Sequence, residues 1–212
     1  MAKLPLGVDI DNLIEDLINF SWEASEILLY YSRILKDSEH KNDLIKLKDN
    51  KDPVTLADIK VNELIIQRIK NAYKNSQWDI LSEESSIINS SISKEINEWL
   101  WILDPLDGTK DFIQGTGNYA MHLALNYNQK PYLGVVLIPE KDELWISNGK
   151  RVWCERRDGS RKVFPEPVRK EIKDMTIVTS KNHRNPNLEN LIKKINFKNV
   201  NIMGSIGCKI AS

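Results

Sequence analysis

The chain has 212 residues, room for one domain and part of another, and its 30 lysines and arginines balance its 30 aspartates and glutamates. With 28% charged and 41% hydrophobic residues the composition is that of a globular chain, and it carries no basic excess that would suit nucleic acid. No apolar run reaches the roughly 18 residues of a membrane span, no leader-like N-terminus stands out, and Cys154 and Cys208 have no metal or redox spacing, so the expectation is a cytoplasmic protein that binds neither membrane nor nucleic acid.

Leu13, Leu17, Phe20, Ala24, Ile27 and Leu28 recur at helical spacing and predict a helix over 10–35. A second amphipathic helix is expected over 56–73, opened by Asp52-Pro-Val-Thr-Leu-Ala-Asp58, and the two should cover one face of a sheet. Asp79-Ile-Leu-Ser-Glu-Glu84 reads as a strand ending in two glutamates, and 85–93 as a polar linker. Trp99-Leu-Trp-Ile-Leu103 reads as a buried strand that delivers Asp104 to its end. From there to Phe164, short β-prone runs broken at Asn128-Gln-Lys-Pro131, Pro139-Glu-Lys-Asp-Glu143, Asn148-Gly149 and Asp158-Gly159 predict an antiparallel meander. The basic residues Lys150, Arg151, Arg156, Arg157, Arg161 and Lys162 fall on its hairpins and are expected to be solvated edges. Beyond Pro165 and Pro167, residues 175–179, 187–195 and 200–203 read as strand, helix and strand, and another helix opens near Ser205. The expected organisation is an α+β domain over 1–164 followed by the start of an α/β domain over 165–212.

One hexapeptide concentrates the chemistry: Asp104-Pro-Leu-Asp-Gly-Thr109. Pro105 favours a bend that lets Asp104 and Asp107 face one hard cation, and the bend frees the Leu106 carbonyl as a further oxygen ligand. An oxygen-only shell suits magnesium and not zinc. Gly108 allows a backbone amide close to an anion, and Thr109 adds a hydroxyl at the first turn of a short helix through Phe112, where N–H groups favour phosphate. The same residues would also make an ordinary Asp-rich β-turn. Glu83, and less so Glu84, is placed to join the cluster from the preceding strand, and Asp58 from the second helix. Asp58 could equally serve only the helix dipole, and Glu84 could be merely solvated.

The order Asp52-Pro-Val-Thr-x-x-Asp58, then Glu83-Glu84, then Trp101-x-x-Asp104-Pro-Leu-Asp-Gly-Thr109 resembles the inositol monophosphatase superfamily of magnesium-dependent phosphatases, over nearly the whole chain. The continuation Asp107-Gly-Thr-Lys-Asp-Phe112, together with Tyr119-Ala-Met-His-Leu-Ala-Leu125 and Lys130-Pro-Tyr-Leu-Gly-Val-Val136, looks more like the 3'(2'),5'-bisphosphate nucleotidases within it. The resemblance implies a layered α/β/α/β/α sandwich, with Glu83, Asp104, the Leu106 carbonyl and Asp107 as Mg2+ ligands and Asp58 at a more weakly held metal. It gives Glu83 and Thr109 the task of orienting the attacking water.

For the substrate, the resemblance adds His183, in Thr179-Ser-Lys-Asn-His183, as a contact, against the reading of an ordinary loop histidine. It makes Ser205 and Lys209, in Gly204-Ser-Ile-Gly-Cys-Lys209, donors to a second phosphate, against a plain helix N-cap at Ser205. Their spacing is one residue longer than the commonest nucleotidase form. The family's later Trp-Asp-x-Ala motif, which would complete the metal shell, has no counterpart in these 212 residues. The second half of the sandwich is therefore expected to be incomplete, with an exposed sheet edge that favours association into a homo-oligomer. Three functions stay open: hydrolysis of the 3'-phosphate of adenosine 3',5'-bisphosphate, hydrolysis of an inositol phosphate, or a silent remnant that binds metal or phosphate.

Overall fold

The computed structural model describes residues 4–36, 45–47, 53–76, 78–84, 97–165, 171–181 and 186–211. Its elements run α1 (Ile10–Lys36), β1 (Ile45–Leu47), β2 (Pro53–Thr55), α2 (Leu56–Ala72), β3 (Asp79–Ser82), β4 (Trp99–Asp107), α3 (Thr109–Gln114), β5 (Ala120–Tyr127), β6 (Lys130–Ile138), β7 (Glu143–Ser147), β8 (Val152–Glu155), β9 (Arg161–Phe164), β10 (Thr176–Ser180), α4 (Pro186–Ile195), β11 (Asn199–Met203) and α5 (Ile206–Ile210). The linker expected over 85–93 lies outside the described residues.

Both long helices form where the apolar spacing places them. Of the residues that recur along α1, Leu13, Leu17, Phe20, Ala24 and Leu28 bury and Ile27 is half-buried, while α2 buries Ala57, Val61, Ile65 and Ile69. α2 starts at a capping box: Thr55 Oγ1 accepts the Ala57 N–H at 3.2 Å, and Asp58 Oδ2 accepts the Thr55 N–H at 2.8 Å. The two helices lie on one face of a seven-stranded sheet and share a core with Trp99, Trp101, Leu103, Leu123, Leu125, Val135, Leu137, Leu144 and Ile146. Each such side chain taken from water contributes roughly 1.5–3 kcal/mol.

The sheet order is β3-β4-β5-β6-β7-β8-β9, antiparallel from β4 onward, which is the expected meander. β3 pairs with β4 in parallel, so both strands end at the same edge of the sheet. β3 stops at Ser82 and leaves Glu83 and Glu84 in a turn, two residues short of the strand the sequence suggested. Nor is the Trp99 strand buried on both sides. Trp99, Trp101 and Leu103 face the helices, whereas Ile102 is 37% exposed, because the opposite face is only partly covered. That partial cover is α5, which packs Cys208 against Ala120 and Ile138. Beside it lies an open, mostly apolar hollow of about 470 Å3, bounded by Ile102, Asp104, His122, Val136, Trp145 and Ile210.

β10 and β11 pair in parallel through α4, one residue out of step with the expected strand at 175–179 but of the expected kind. Four of the basic hairpin residues have partners at the surface: Arg157 pairs with Glu26 and Asp142 and lies over Trp22, Arg161 pairs with Glu155, Arg156 lies 4.0 Å from Glu143, and Lys162 lies over Phe164. Cys154 and Cys208 are free and buried, and burial pushes both thiols up. Among the described residues, no helix is long and apolar enough to cross a membrane.

Candidate active site

Three backbone segments reach one edge of the sheet together. The parallel β3-β4 pair carries Glu83 and Asp104 there, and the start of α2 carries Asp58. Between Asp104 and Asp107 the ladder to β5 slips: Asp104 sits opposite His122, but Asp107 sits opposite Ala120. The extra residue is a bulge at Pro105-Leu106, where proline could not have donated to the ladder, and it bends the strand end. Gly108 then adopts φ +88° and starts α3, in a place where a Cβ would come 2.8 Å from the Asn118 carbonyl.

Asp58 is buried and accepts from Thr55 twice, the N–H at 2.8 Å and Oγ1 at 2.6 Å. The Thr109 hydroxyl donates to the Leu106 carbonyl at 3.1 Å and lies 3.5 Å from Asp58 Oδ1. Asp104 Oδ1 accepts the Leu106 N–H at 3.1 Å, which fixes the turn. Burial, and after it the charges of Glu83, Asp107 and Asp58, push the Asp104 carboxyl up to about 7 against the pull of the Leu106 N–H. Asp58 is pushed up to about 6 by burial, with Glu84 adding to it and the Thr55 bonds opposing. Glu84 is thus buried, 7% exposed, and not solvated, while Glu83 faces out and donates its N–H to the Leu103 carbonyl at 3.2 Å.

Asp107 belongs to a second knot. Its Oδ2 accepts the Ser205 hydroxyl and the Gly207 N–H, the latter at 3.0 Å, and stands 3.4 Å from His122 Nε2. Ser205 also caps α5, its Oγ accepting the Cys208 N–H at 3.1 Å. Ser205 is thus an N-cap, as one of its two readings had it, and its hydroxyl also donates to Asp107. Lys209 is half-buried on α5. His183 lies outside the described residues.

Glu83, Asp104, Leu106, Asp107, Gly108, Thr109 and Asp58 thus come to one place. Among the described residues, however, no three His, Cys, Asp or Glu side chains are gathered closely enough to hold an ion as they stand. Like charges repel, and Asp107 Oδ2 is already taken up by its own donors. Sequence reasoning missed Thr55, His122 and Asp111. For Thr55 the Thr-x-x-Asp capping pattern was a readable signal. His122 could have been found only through the β4-β5 register, which sets it opposite Asp104. Asp111 is buried, receives the Thr116 hydroxyl at 2.8 Å, and lies 3.6 Å from Lys181 Nζ, a contact no local pattern announces.

Residues 9–212 match the inositol monophosphatase family, and the chain belongs to that family. It is 30% identical over 161 residues to the 3'(2'),5'-bisphosphate nucleotidase CysQ of Buchnera aphidicola, a match covering 76% of this chain and 58% of that one. With the CysQ of Escherichia coli K12 it shares 27% identity over 172 residues, 80% of this chain and 65% of the other. The chain therefore spans less than two thirds of the length of these relatives. Its fold is the layered α/β fold of solved members such as an IMPase/NADP phosphatase complexed with NADP and Ca2+, with TM-score 0.70 and 22% identity over 95% of this chain and 70% of that one.

Proposed function

We propose that this chain carries the metal-binding half of a magnesium-dependent phosphomonoesterase acting on the 3'-phosphate of adenosine 3',5'-bisphosphate. The observation that carries the reading is the gathering of carboxylates around the buried Asp104 turn, where burial first, and after it the charges of Glu83, Asp107 and Asp58, push Asp104 up to about 7. A cluster of oxygen donors whose mutual repulsion is unrelieved is a place where a hard divalent cation is welcome. Glu83, Asp104, the Leu106 carbonyl and Asp107 are the residues that would hold it, and Asp58 would serve a second, weaker position. When bound, such cations neutralise phosphate charge and make water nucleophilic near neutral pH.

The chain's own part is placement. Asp104 is oriented by the Leu106 N–H and Asp58 by Thr55, so neither carboxylate has to be ordered when substrate arrives. Glu83 and Thr109 orient the attacking water, and the Gly108-Thr109 start of α3 presents backbone to the phosphate. Water adds to phosphorus, the bond to the ribose oxygen breaks, and the proton lost by water ends on that oxygen or in solvent. Lys110 and its flanks, with the likeness to CysQ proteins, favour the nucleotide over an inositol phosphate. We assign the protein to the cytoplasm on its composition, and place the boundary between its two domains at Pro165, where the seven-stranded sheet has ended.

The test is phosphate release from adenosine 3',5'-bisphosphate and from inositol 1-phosphate, with Mg2+ and with chelator. Release that needs Mg2+ and favours the nucleotide is expected. Equal or better turnover of inositol 1-phosphate overturns the substrate assignment, and a folded protein inert toward both overturns the enzymatic reading of this chain.

A further inference from the structure

His122 has no task in the reading above, yet it occupies a constrained place. The β4-β5 register sets it directly opposite Asp104, with its side chain on the same face of the sheet. Its Nε2 is closed off from solvent and makes no hydrogen bond, standing 3.4 Å from Asp107 Oδ2, just beyond the usual N–H···O range of about 2.7–3.2 Å. α5 closes over the ring from the other side. A Cβ on Gly207 would come 2.3 Å from Nε2 and 2.7 Å from the Ala120 Cβ, so only glycine lets the helix backbone approach this closely. The Gly207 N–H brought in by that approach bonds the same carboxylate oxygen, as does the Ser205 hydroxyl.

Among the described residues the hydrogen bonds to Asp107 thus fall on Oδ2, given by the Ser205 hydroxyl and the Gly207 N–H, with His122 Nε2 close beside them. An imidazole carries at least one N–H in either charge state, so with the proton on Nε2 the ring directs a donor at that oxygen. Closing the gap to Asp107 takes a shift of a few tenths of an ångström, well within the give of a strand end.

We propose that His122 is a positioning residue for Asp107: with Ser205 and Gly207 it pins the carboxylate through Oδ2 and leaves Oδ1 as the oxygen offered to a divalent cation. This rests on the reading of Asp107 as a cation ligand. It also makes the arrival of α5, with Gly207 100 residues beyond Asp107 in sequence, a condition of a well-formed site. Partners that orient a metal ligand typically alter affinity about 10- to 100-fold when removed.

The experiment compares His122→Gln, which keeps a donor near the place of Nε2, with His122→Met, which has similar length and no donor. Mn2+ binding to the full chain is followed by calorimetry, and melting is recorded without cation. The expected result is that the glutamine variant binds Mn2+ within about 3-fold of the unaltered protein, the methionine variant binds about 10-fold more weakly, and both melt alike. With excess cation the two should hydrolyse substrate at similar kcat and differ in the cation concentration needed. Equal Mn2+ affinity in the two variants overturns the proposal and leaves the proposed function standing. Loss of folding in the methionine variant alone makes the role structural and overturns it too. An unaltered protein that binds no Mn2+ removes the metal reading together with this one.

Discussion

Asp104 is kept protonated up to about 7 by burial and by its acidic neighbours, and that sets function against stability at one residue. Asparagine keeps an oxygen to accept the Leu106 N–H and removes the charge that the neighbours repel. On the proposed function Asp104→Asn is expected to lower phosphate release by on the order of 10^3-fold or more, since it would delete a cation ligand and a charge at the reacting centre. The same substitution should raise the melting temperature of the cation-free protein at pH 8 by several degrees, as about 1 kcal/mol corresponds to roughly 2–4 °C in a chain of this size. Activity assays and thermal melts on one preparation check both halves, and a variant that is inactive but less stable would contradict the electrostatic account. Gly204 carries a different constraint: a Cβ there would come 1.8 Å from Asp111 Oδ2. Gly204→Ala should therefore cost about 1–3 kcal/mol in urea unfolding, because the carboxylate it displaces is buried and bonded to Thr116.

At the scale of elements, the β5-β6 hairpin turns through Asn128 and Gln129, both with positive φ, 46° and 63°. Such a two-residue turn matches the twist of the strands, but the left-handed region suits asparagine or glycine and not glutamine. Gln129→Gly is expected to stabilise by about 1 kcal/mol, seen as a higher urea midpoint at unchanged slope. The elements that periodicity describes well are those whose environment is uniform along their length. α1 buries one stripe against one sheet face, and β4 to β7 largely alternate between a covered face and a more open one, so periods of 3.6 and 2 survive in the sequence. Where an element ends at the site the pattern fails. β3 stops at Ser82 because Glu83 and Glu84 turn away around the acidic cluster, and Glu84 is buried there against ordinary preference.

For the whole molecule the carboxylate cluster makes stability depend on pH in a direction opposite to the usual acid response. Asp104 and Asp58 have folded values of about 7 and about 6, each above the ordinary 3.8, so between pH 4 and 7 the folded state holds more protons than the unfolded one. Stability present below pH 4 is then lost as pH rises through 6 and 7, by on the order of a few kcal/mol in the absence of cation. Mg2+ should reverse the trend by giving the ionised carboxylates a partner, so that its stabilising effect grows from pH 5 to pH 8. Melting curves across that range, with chelator and with Mg2+, test this; parallel curves would show that the cluster takes no cation.

The sequence by itself determined the two helices, the meander, the late strand-helix-strand unit and the acidic turn, and it placed Asp58, Glu83, Asp104, Asp107 and Thr109 in one neighbourhood. Helical period, hairpin residues and the Asp-Pro-Leu-Asp-Gly-Thr turn are local, each written within a few consecutive residues, whereas Asp58 and Glu83 were joined to that turn by the order of the family's motifs. Only the tertiary structure decided that β3 and β4 run parallel, that Glu84 is buried, and that Asp107 is held by Ser205 and Gly207 beside His122. Those arrangements follow from strand register and from the close approach of a distant helix over a glycine, and neither leaves a trace in the local order of residues.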